Sequence, residues 1–319
     1  MSDIILNICG LVMHLKSEER INAAKLAQFK KFIIKEAPPK IDISLTLLRK
    51  RCYTVFSSNI FFEVKREKQK KSRNDLNFAR RRKKRNLYGR NPYIGNSTDW
   101  RIGESGGKIL LEGGSSTNYQ VLIDRDFRSG KCFIIDDDKD MEIFNGAHEF
   151  LKILFIYYMT KNGLGLMAHG AGIECVGDGF LFAGPHAAGK STLARIWDKY
   201  AKTGIASDEN IIIKPQGNGF YMYSTPWHGE FSDFKNSIGK TKLKKVFFIY
   251  HGKDNKARRI SRKESFNLFF QAIFLPFWDK DCVSFASQVI LDVINTTSCY
   301  RLGFRKDDGS IVDYIESFE

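Results

Sequence analysis

The chain has 319 residues, of which 43% are hydrophobic and 27% are charged, as is usual for soluble globular proteins. This composition excludes collagen-like, wholly disordered and repeat-solenoid classes, and the length allows one large domain or two of ordinary size. The formal net charge of +15 is mostly local, because residues 65–90 hold thirteen basic and two acidic side chains. The rest of the chain is therefore only mildly basic.

Cysteine usage and hydropathy predict a cytoplasmic protein. The six cysteines are widely spaced, form no CxxC pair and lack the density of a disulfide scaffold, so we expect buried thiols in a reducing compartment. The first twenty residues have no basic region and no small-residue cleavage site around their apolar stretch, which argues against a secretory signal. The longest apolar runs, 150–159 and 269–278, are too short or too interrupted to span a bilayer.

Residues 1–145 predict a smaller, β-rich N-terminal domain. Its strand-like pieces alternate with glycine and serine turns, which favours antiparallel pairing. The segment 24–34 is ambiguous between a short helix and a strand. The predicted strands are Ile4 to Met13, Cys52 to Val64, Lys108 to Leu111, Tyr119 to Ile123 and Lys131 to Ile135.

The basic segment, residues 65–90, interrupts this domain. It has no apolar stripe and its like charges repel, which predicts a disordered insertion. Its cations are able to neutralise phosphates, so weak non-specific binding of nucleic acid or of an acidic partner is one interpretation. A solvated loop is the alternative, because Phe78, Tyr88 and Tyr93 are too sparse for a base-stacking platform.

Residues 146–319 predict an α/β domain built on a mixed sheet with flanking helices. A buried helix over 148–159 opens it, and many later connections are too short for the crossover helices that a purely parallel sheet needs. The predicted strands cover 166–176, 180–182, a short piece ending at Ser207, 210–214, 220–223 and 245–250, and the predicted helices cover 192–200, 262–274 and 284–294.

The segment Gly184 to Ser191, GPHAAGKS, matches the phosphate-binding pattern G-x-x-x-x-G-K-[ST] between a predicted strand and a predicted helix. In such a loop, backbone N–H groups and the helix N-terminus face the phosphates, the lysine pairs with the β and γ phosphates, and the serine ligates Mg²⁺. A plain glycine turn would explain Gly184 and Gly189 but not the pair Lys190-Ser191. The predicted nucleotide-binding residues are Gly184, Pro185, His186, Ala187, Ala188, Gly189, Lys190, Ser191 and Thr192.

An acidic pair, Asp208-Glu209, follows the short strand that ends at Ser207. After a phosphate loop and its helix, a carboxylate there is able to anchor Mg²⁺ or to accept a proton from an attacking hydroxyl. We expect Asp208 to be the base, because sheet pairing holds its backbone, and Glu209 to lie on the metal side with Ser191. A polar turn without chemistry is the alternative.

Two further features are less specific alone. His169-Gly170 lies in the apolar run LMAHGAGIECVGDG, where a histidine is commonly a core residue. The segment Ser224 to Glu230, STPWHGE, predicts a shaped loop in which His228 or Glu230 is available to position a substrate. An ordinary turn around a packed Trp227 is the alternative for this loop.

Together these pieces resemble the HPr kinase/phosphorylase family, whose P-loop fold is shared with phosphoenolpyruvate carboxykinases. The resemblance covers Phe150 to Glu319, and the ordered features that carry it are His169-Gly170, Gly177-Asp178-Gly179, Gly184 to Ser191 and Asp208-Glu209. The loop Thr225 to Glu230 and the segment Cys299 to Ile315 are similar to those of divergent members found beside peptide-modification and exosortase-type systems.

This resemblance implies an HPr-kinase-like domain that transfers the γ-phosphate of ATP, with Mg²⁺, to a serine-like hydroxyl of a peptide, protein or small molecule. It places Asp208 as the catalytic acid or base, His169 beside the phosphates, and Glu209 or Ser191 on the metal. The catalytic part of Lys190, on the β and γ phosphates, follows from the motif itself. From the residues alone, a P-loop ATPase or a nucleotide-dependent switch acting on a partner stays open, as does a homo-oligomer.

Overall fold

A computed structural model describes residues 3–19, 21, 23–36, 38–50, 59–64, 99–114, 118–135, 147–175, 177–201, 204–229, 234, 237–306 and 309–318. The predictions for the basic segment, for residues 52–58 and for Glu230 fall outside these ranges and stay predictions. In the described parts of the chain, no helix is both long enough and apolar enough to cross a membrane.

The structure is mixed α/β, with two large mixed sheets and flanking helices. The strands are β1 (Asp3–Ile8), β2 (Leu11–Ser17), β3 (Ile33–Ile34), β4 (Ile43–Lys50), β5 (Asn59–Val64), β6 (Asp99–Ser105), β7 (Lys108–Gly114), β8 (Asn118–Ile123), β9 (Gly130–Ile135), β10 (Leu166–Cys175), β11 (Asp178–Ala183), β12 (Ile205–Ser207), β13 (Asn210–Gln216), β14 (Gly219–Tyr223), β15 (Lys240–His251), β16 (Lys256–Arg259), β17 (Ile273–Phe274) and β18 (Ser298–Phe304). The helices are a 3₁₀ helix (Ala23–Phe32), α1 (Ala147–Lys161), α2 (Lys190–Tyr200), α3 (Arg262–Ala272), α4 (Lys280–Thr296) and α5 (Ser310–Glu316).

The chain forms two compact units, and the first consists of Met1–Ile4, His14–Lys25 and Asp42–Ile153. Its strands pair in the order β4-β9-β8-β7-β6-β5, with β4 and β9 parallel and the remaining neighbours antiparallel. The predicted strands at 108–111, 119–123 and 131–135 are confirmed as β7, β8 and β9. The buried ring of Tyr119 packs against Phe150 with ring centroids 5.3 Å apart.

The second unit consists of Ile5–Met13, Leu26–Ile41 and Leu154–Glu319. Its large sheet runs β11-β10-β13-β14-β15-β18-β16, and β11 also pairs with β15, so five strands form a closed circuit. β15 lies parallel to both β11 and β18, whereas the other neighbours in this order are antiparallel. The expectation that this sheet would not be purely parallel is therefore confirmed.

Aromatic residues fill the core beneath α2. Trp197 is fully buried and packs against Phe182 with centroids 5.5 Å apart, and Phe182 stacks on Phe247 at 5.2 Å. α2 is strongly amphipathic, with Leu193, Ala194 and Ile196 on its buried face. This packing fixes the direction in which the N-terminus of α2 points, which matters for the loop that precedes it.

Three predicted elements differ in detail from the structure. The expected helix over 262–274 ends at Ala272, because Ile273–Phe274 pairs as β17 with Met167 and Ala168 of β10. The apolar segment 4–13 is divided between β1 and β2 by a turn at Cys9 and Gly10, whose φ angles are 50° and 88°. The ambiguous segment 24–34 is a 3₁₀ helix that leads into β3.

The described cysteines are free thiols, as expected. Cys132, Cys175, Cys282 and Cys299 are buried, and Cys9 is half-buried. Burial raises the pKa of Cys175 and of Cys299 to about 11, which keeps both thiols protonated at neutral pH.

The topology of the second sheet brings three strand ends to one edge. In the parallel register, Ala183 at the end of β11 lies opposite Phe248, and His251 at the end of β15 lies opposite Phe304 at the end of β18. Ligands of α/β proteins bind outside the carboxyl ends of such parallel strands. The loop 184–189 begins at this edge.

Candidate functional site

The loop that joins β11 to α2, residues 184–189, is a compact turn. The N–H of Ala188 donates to the carbonyl of Pro185 (3.1 Å), and Ala187 has a φ of 62°. Gly189 has a φ of 103° and precedes the first helical residue without a side-chain cap. A Cβ at Gly189 would also lie 2.9 Å from Cζ of Phe304, so both the backbone angle and the packing favour glycine.

The predicted loop residues divide into an exposed tip and a buried base. Pro185, His186 and Ala187 are exposed at the tip, whereas Ala188 and Lys190 are buried. Gly184, Gly189, Ser191 and Thr192 are half-buried. Pro185 lacks an N–H, so it offers the tip no backbone donor for a phosphate.

The side chain of Lys190 turns back onto this loop. Its Nζ donates to the carbonyls of Gly184 (3.0 Å) and Pro185 (2.9 Å). Burial lowers the pKa of Lys190 to about 8, and the nearby carboxylates of Glu209 and Asp208 oppose that shift. The lysine of the motif is therefore held at the loop and close enough to both carboxylates to interact with them electrostatically.

The acidic pair lies in a tight turn between β12 and β13. The hydroxyl of Ser207 accepts from the N–H groups of Glu209 (3.2 Å) and Asn210 (3.3 Å), which fixes the backbone on either side. Asp208 is fully buried and Glu209 is half-buried. The turn thus gives the two neighbouring carboxylates different environments.

One oxygen of Asp208 is held and the other is available. Oδ1 accepts from the N–H of Gly229 at 2.9 Å. Oδ2 is buried and receives no hydrogen bond from any residue that the structure describes. An unsatisfied buried carboxylate oxygen is costly, and in a native protein such an atom commonly marks the position of a ligand, an ion or a reacting proton.

The loop 224–229 is bonded onto this acidic turn. The hydroxyl of Thr225 donates to the carbonyl of Asn210 (3.0 Å), and the amide Nδ2 of Asn210 donates to the carbonyl of Trp227 (2.6 Å). A Cβ at Gly229 would lie 2.6 Å from Oδ2 of Asp208, so only glycine permits this close approach. The carboxylate is therefore positioned by a loop 21 residues farther along the chain.

His169 lies on β10 beside the acidic turn. It is opposite Asn210 in the β10–β13 register, and the N–H of its neighbour Gly170 donates to the carbonyl of Glu209 (2.8 Å). The half-buried imidazole packs edge-on against Phe274, with ring centroids 6.0 Å apart. The structure thus brings His169, Asp208 and Glu209 to adjacent positions.

Of the two residues predicted to position a substrate, His228 lies within the described residues and Glu230 does not. His228 is half-buried in the loop that holds Asp208, next to the fully buried Trp227. Glu230 lies outside the described residues, so its part in substrate positioning stays a prediction. Sequence reasoning missed four residues that organise the site: Ser207, Asn210, Thr225 and Gly229.

The residues present fit a magnesium ion bound together with a nucleotide. No described group of three or more His, Cys, Asp or Glu side chains would hold a metal by itself. Mg²⁺, however, usually binds one or two carboxylates and completes its shell with water and substrate phosphates. Asp208 and Glu209 supply such carboxylates, one with an unpartnered buried oxygen, and Ser191 stands at the start of α2.

No protein-family model and no curated protein matches this chain. Among solved structures, it is similar to the Hpr(Ser) kinase/phosphatase from Coxiella burnetii, with 10% sequence identity and a TM-score of 0.28. The match covers 47% of this chain and 91% of that one.

Proposed function

We propose that this protein is an ATP- and Mg²⁺-dependent kinase that transfers the γ-phosphate to a serine-like hydroxyl of a peptide, protein or small molecule. The observation that carries the proposal is the closeness of the phosphate-binding motif to the acidic turn: Gly170 of β10 lies opposite Ala183, the residue before the loop, and its N–H donates to the carbonyl of Glu209 (2.8 Å). This pairing brings the motif that contains Lys190 close to Asp208 and Glu209. Phosphoryl transfer needs a phosphate cradle, charge neutralisation and a positioned proton acceptor, and these residue types supply all three.

Lys190 is the residue that neutralises the nucleotide. In the structure its ammonium group is satisfied by two loop carbonyls, Gly184 and Pro185. Phosphate oxygens are stronger acceptors for an ammonium group than neutral carbonyls, so a bound triphosphate would take over these hydrogen bonds. The N-terminus of α2 adds its partial positive charge at the same place.

Asp208 is the residue that we assign to the acceptor hydroxyl. Its Oδ1 is fixed by the N–H of Gly229, which leaves the buried Oδ2 to accept the proton. A carboxylate held by one hydrogen bond keeps its direction while the other oxygen reacts, and such positioning is what general-base catalysis requires. We assign His169, on the neighbouring strand, to the phosphates.

The residues that would hold Mg²⁺ are Ser191 and Glu209. When bound, the ion would supply positive charge against the negative charge that develops on the phosphates during transfer. Glu209 suits this position because it is half-buried and interacts electrostatically with Lys190.

The decisive experiment is incubation with γ-labelled ATP, Mg²⁺ and a host extract, followed by separation of labelled acceptors from free phosphate. We expect label on an acceptor with the wild-type protein and none with Lys190→Ala. Lys199→Ala is the matched control, because Lys199 is exposed on the same helix, and it should behave as wild type.

Two results would contradict the proposal. Label that appears only in free phosphate would indicate an ATPase or a nucleotide-dependent switch, since the same cradle serves hydrolysis when water is the nucleophile. Equal binding of ATP by the wild type and Lys190→Ala would remove the nucleotide from the proposal altogether.

A further inference from the structure

One side of the hairpin β13–β14 and of the start of β15 carries a cluster of lysines and tyrosines. Side chains that lie opposite each other in an antiparallel register share one face of the sheet. Tyr221 lies opposite Lys214 on one neighbouring strand and opposite Lys242 on the other, and Tyr223 lies opposite Lys240. We call the surface formed by these five residues the lysine face.

The alternation of side chains along these strands separates a buried side from the lysine face. Phe220, Met222 and Thr241, which lie between its members along the chain, are buried. Lys240 and Lys242 are exposed, and the other three members of the lysine face are half-buried. The two lysines of β15 are therefore accessible to a partner, whereas the residues between them belong to the core.

The tyrosines hold a lysine in place without neutralising it. Nζ of Lys240 lies 4.4 Å from the ring centroid of Tyr221 and 5.6 Å from that of Tyr223. The face of an aromatic ring attracts an ammonium group but carries no net charge. The Nζ of Lys214 donates to the carbonyl of Cys9 (2.9 Å), which is also a neutral group. The lysine face thus keeps its positive charge.

No carboxylate shares the strands of the lysine face. The three strands are described over their whole length and contain neither Asp nor Glu, since their sequences are NIIIKPQ, GFYMY and KTKLKKVFFIYH. Lys244, which is also exposed, adds a further charge on β15. A surface with this charge pattern is complementary to a negatively charged chain.

The lysine face and the acidic turn are parts of the same two strands. Asn210 opens β13 two residues before Ile212, and Ile212 lies opposite Tyr223. Thr225, two residues after Tyr223, donates to the carbonyl of Asn210 (3.0 Å). A strand rises about 3.3 Å per residue, so Ile212 lies within about 13 Å of Asp208. A single extended segment is long enough to reach both places.

We propose that the lysine face binds an acidic segment of the peptide or protein that accepts the phosphate. This inference rests on the proposed function. With the acceptor hydroxyl at Asp208, an extended chain brings the residues about four to six positions away to Lys240 and Lys242. Aspartate or glutamate side chains there would pair with the two ammonium groups. The acceptor would then be selected by its charge pattern as well as by its hydroxyl.

Two observations favour an acidic peptide over a nucleic acid as the occupant. Base stacking uses open faces of aromatic rings, whereas Lys240 already lies over the rings of Tyr221 and Tyr223. The planar fork of arginine is the better match to phosphate groups, and every cation of the lysine face is a lysine. An ammonium group pairs with a carboxylate as a point charge, which suits this surface.

The test uses a labelled synthetic peptide that contains one serine and a run of glutamates, together with the same peptide in which glutamines replace the glutamates. Fluorescence anisotropy at low ionic strength measures the binding of both peptides by the full chain. The wild type should prefer the glutamate peptide. Lys240→Gln/Lys242→Gln should lower the affinity for that peptide about tenfold, because two charged partners are lost. Its affinity for the glutamine peptide should not change.

The matched control is Lys199→Gln/Lys263→Gln, which removes two exposed lysines from α2 and α3. Lys199 also lies over a tyrosine ring, with its Nζ 4.7 Å from the centroid of Tyr200. This variant should bind both peptides as the wild type does.

Three results would overturn the inference. One is equal affinity of the wild type for the two peptides, and another is unchanged affinity for the glutamate peptide in Lys240→Gln/Lys242→Gln. The third is an oligothymidylate that the wild type binds more tightly than the glutamate peptide and that this double variant no longer binds, because the lysine face would then serve nucleic acid.

The labelling experiment with γ-labelled ATP separates this inference from the proposed function. If the wild type labels an acceptor and Lys240→Gln/Lys242→Gln labels it at the same rate, the assignment of the lysine face fails and the proposed function stands. If the wild type labels no acceptor although the double variant has lost the glutamate peptide, the proposed function fails, and only the affinity of the lysine face for acidic chains stands. Lys190→Ala should lose transfer but bind the glutamate peptide as the wild type does.

Discussion

The phosphate loop and the acidic turn are built in opposite ways. The loop 184–189 is short, has an exposed tip, and its lysine is bonded to the loop's own carbonyls. The acidic turn 207–210 is buried except for the half-buried Glu209, and it is held by hydrogen bonds that involve the side chains of Ser207, Thr225 and Asn210. Under the proposed function, the loop exchanges its internal hydrogen bonds for those of a ligand, whereas the turn already has the geometry that transfer would need.

Under the proposed function, this difference separates the residues that should set the transfer rate from those that should set the nucleotide affinity. A group that must be positioned within a fraction of an ångström benefits from a rigid support, and Asp208 has one. A group that only neutralises charge tolerates rearrangement, and this is the role that we propose for Lys190. Substitutions in the turn should therefore reduce transfer more than binding, and substitutions in the loop should reduce binding.

The largest expected effect is that of Asp208→Asn. Asparagine preserves the shape and keeps an oxygen for the N–H of Gly229, but it removes the proton acceptor. Transfer should fall by about 10²–10⁴, the usual contribution of a positioned base, with Mg²⁺-ATP affinity within about threefold of wild type. Single-turnover transfer of labelled phosphate measures the rate, and calorimetry measures the affinity.

Glu230 provides the contrasting variant for that experiment. If Asp208→Asn transferred phosphate at the wild-type rate and Glu230→Gln did not, the proton acceptor would belong to the segment Thr225 to Glu230. A comparable melting temperature for the two variants is required before their rates are compared.

A smaller loss is expected from Gly229→Ala, which removes no ionisable group. The new Cβ would lie 2.6 Å from Oδ2 of Asp208 and would displace the carboxylate. A misplacement of this order costs about ten- to a hundredfold in transfer. Gly239→Ala is the control, because nothing lies within 4 Å of a Cβ there, and equal rates for both variants would refute a positioning role for Gly229.

Glu209→Gln should change the metal requirement. Weakening a carboxylate ligand raises the Mg²⁺ concentration for half-maximal transfer by about tenfold, with the rate at saturating Mg²⁺ changed less. Glu174→Gln, on β10, is the matched control. A reduced rate at saturating Mg²⁺ with an unchanged Mg²⁺ dependence would instead assign Glu209 to the acceptor.

The smallest expected effect is a proton uptake on nucleotide binding, and it follows from the lowered pKa of Lys190. Because burial lowers its pKa to about 8, most of the free protein carries a neutral Lys190 at pH 8.5, and phosphates raise the pKa again on binding. Nucleotide binding at pH 8.5 should therefore take up about three-quarters of a proton, decreasing to about a tenth at pH 7. Calorimetry in buffers of different ionisation enthalpy measures this uptake.

Lys190→Arg is the control for proton uptake, since a guanidinium stays charged throughout this range. It should show no uptake at either pH. Identical uptake by the wild type and Lys190→Arg would mean that another group is responsible.

Local patterns in the sequence predict the elements that carry the loop. The strand-like run before Gly184 and the helix-forming run after it are β11 and α2. By contrast, β16, β18 and α5 are absent from the predictions, and β17 was included in a helix. Their pairing depends on partners far along the chain, such as Met167 for Ile273, and tertiary contacts of this kind override local propensity.

The candidate site shows the same division between residues that local motifs predict and contacts that depend on the folded chain. Lys190, Asp208, Glu209 and His169 belong to short motifs, so residue type and spacing indicate them directly. The bond from Gly229 to Asp208 does not follow from any motif, because it depends on how two loops pack. The sequence did carry one signal of a close backbone approach, because Gly229 directly follows Trp227 and His228 in a predicted loop.

The position of β18 has a consequence for the order in which the protein is made. β18 lies between β15 and β16 and is their neighbour in the sheet, yet it is the last strand of the described chain to be synthesised. Until Phe304 has left the ribosome, β15 exposes an unpaired edge and Gly189 lacks the ring that packs against it. The growing chain therefore carries an unpaired edge of β15 until β18 has been translated, and the candidate site is completed only after translation of the phosphate-binding motif.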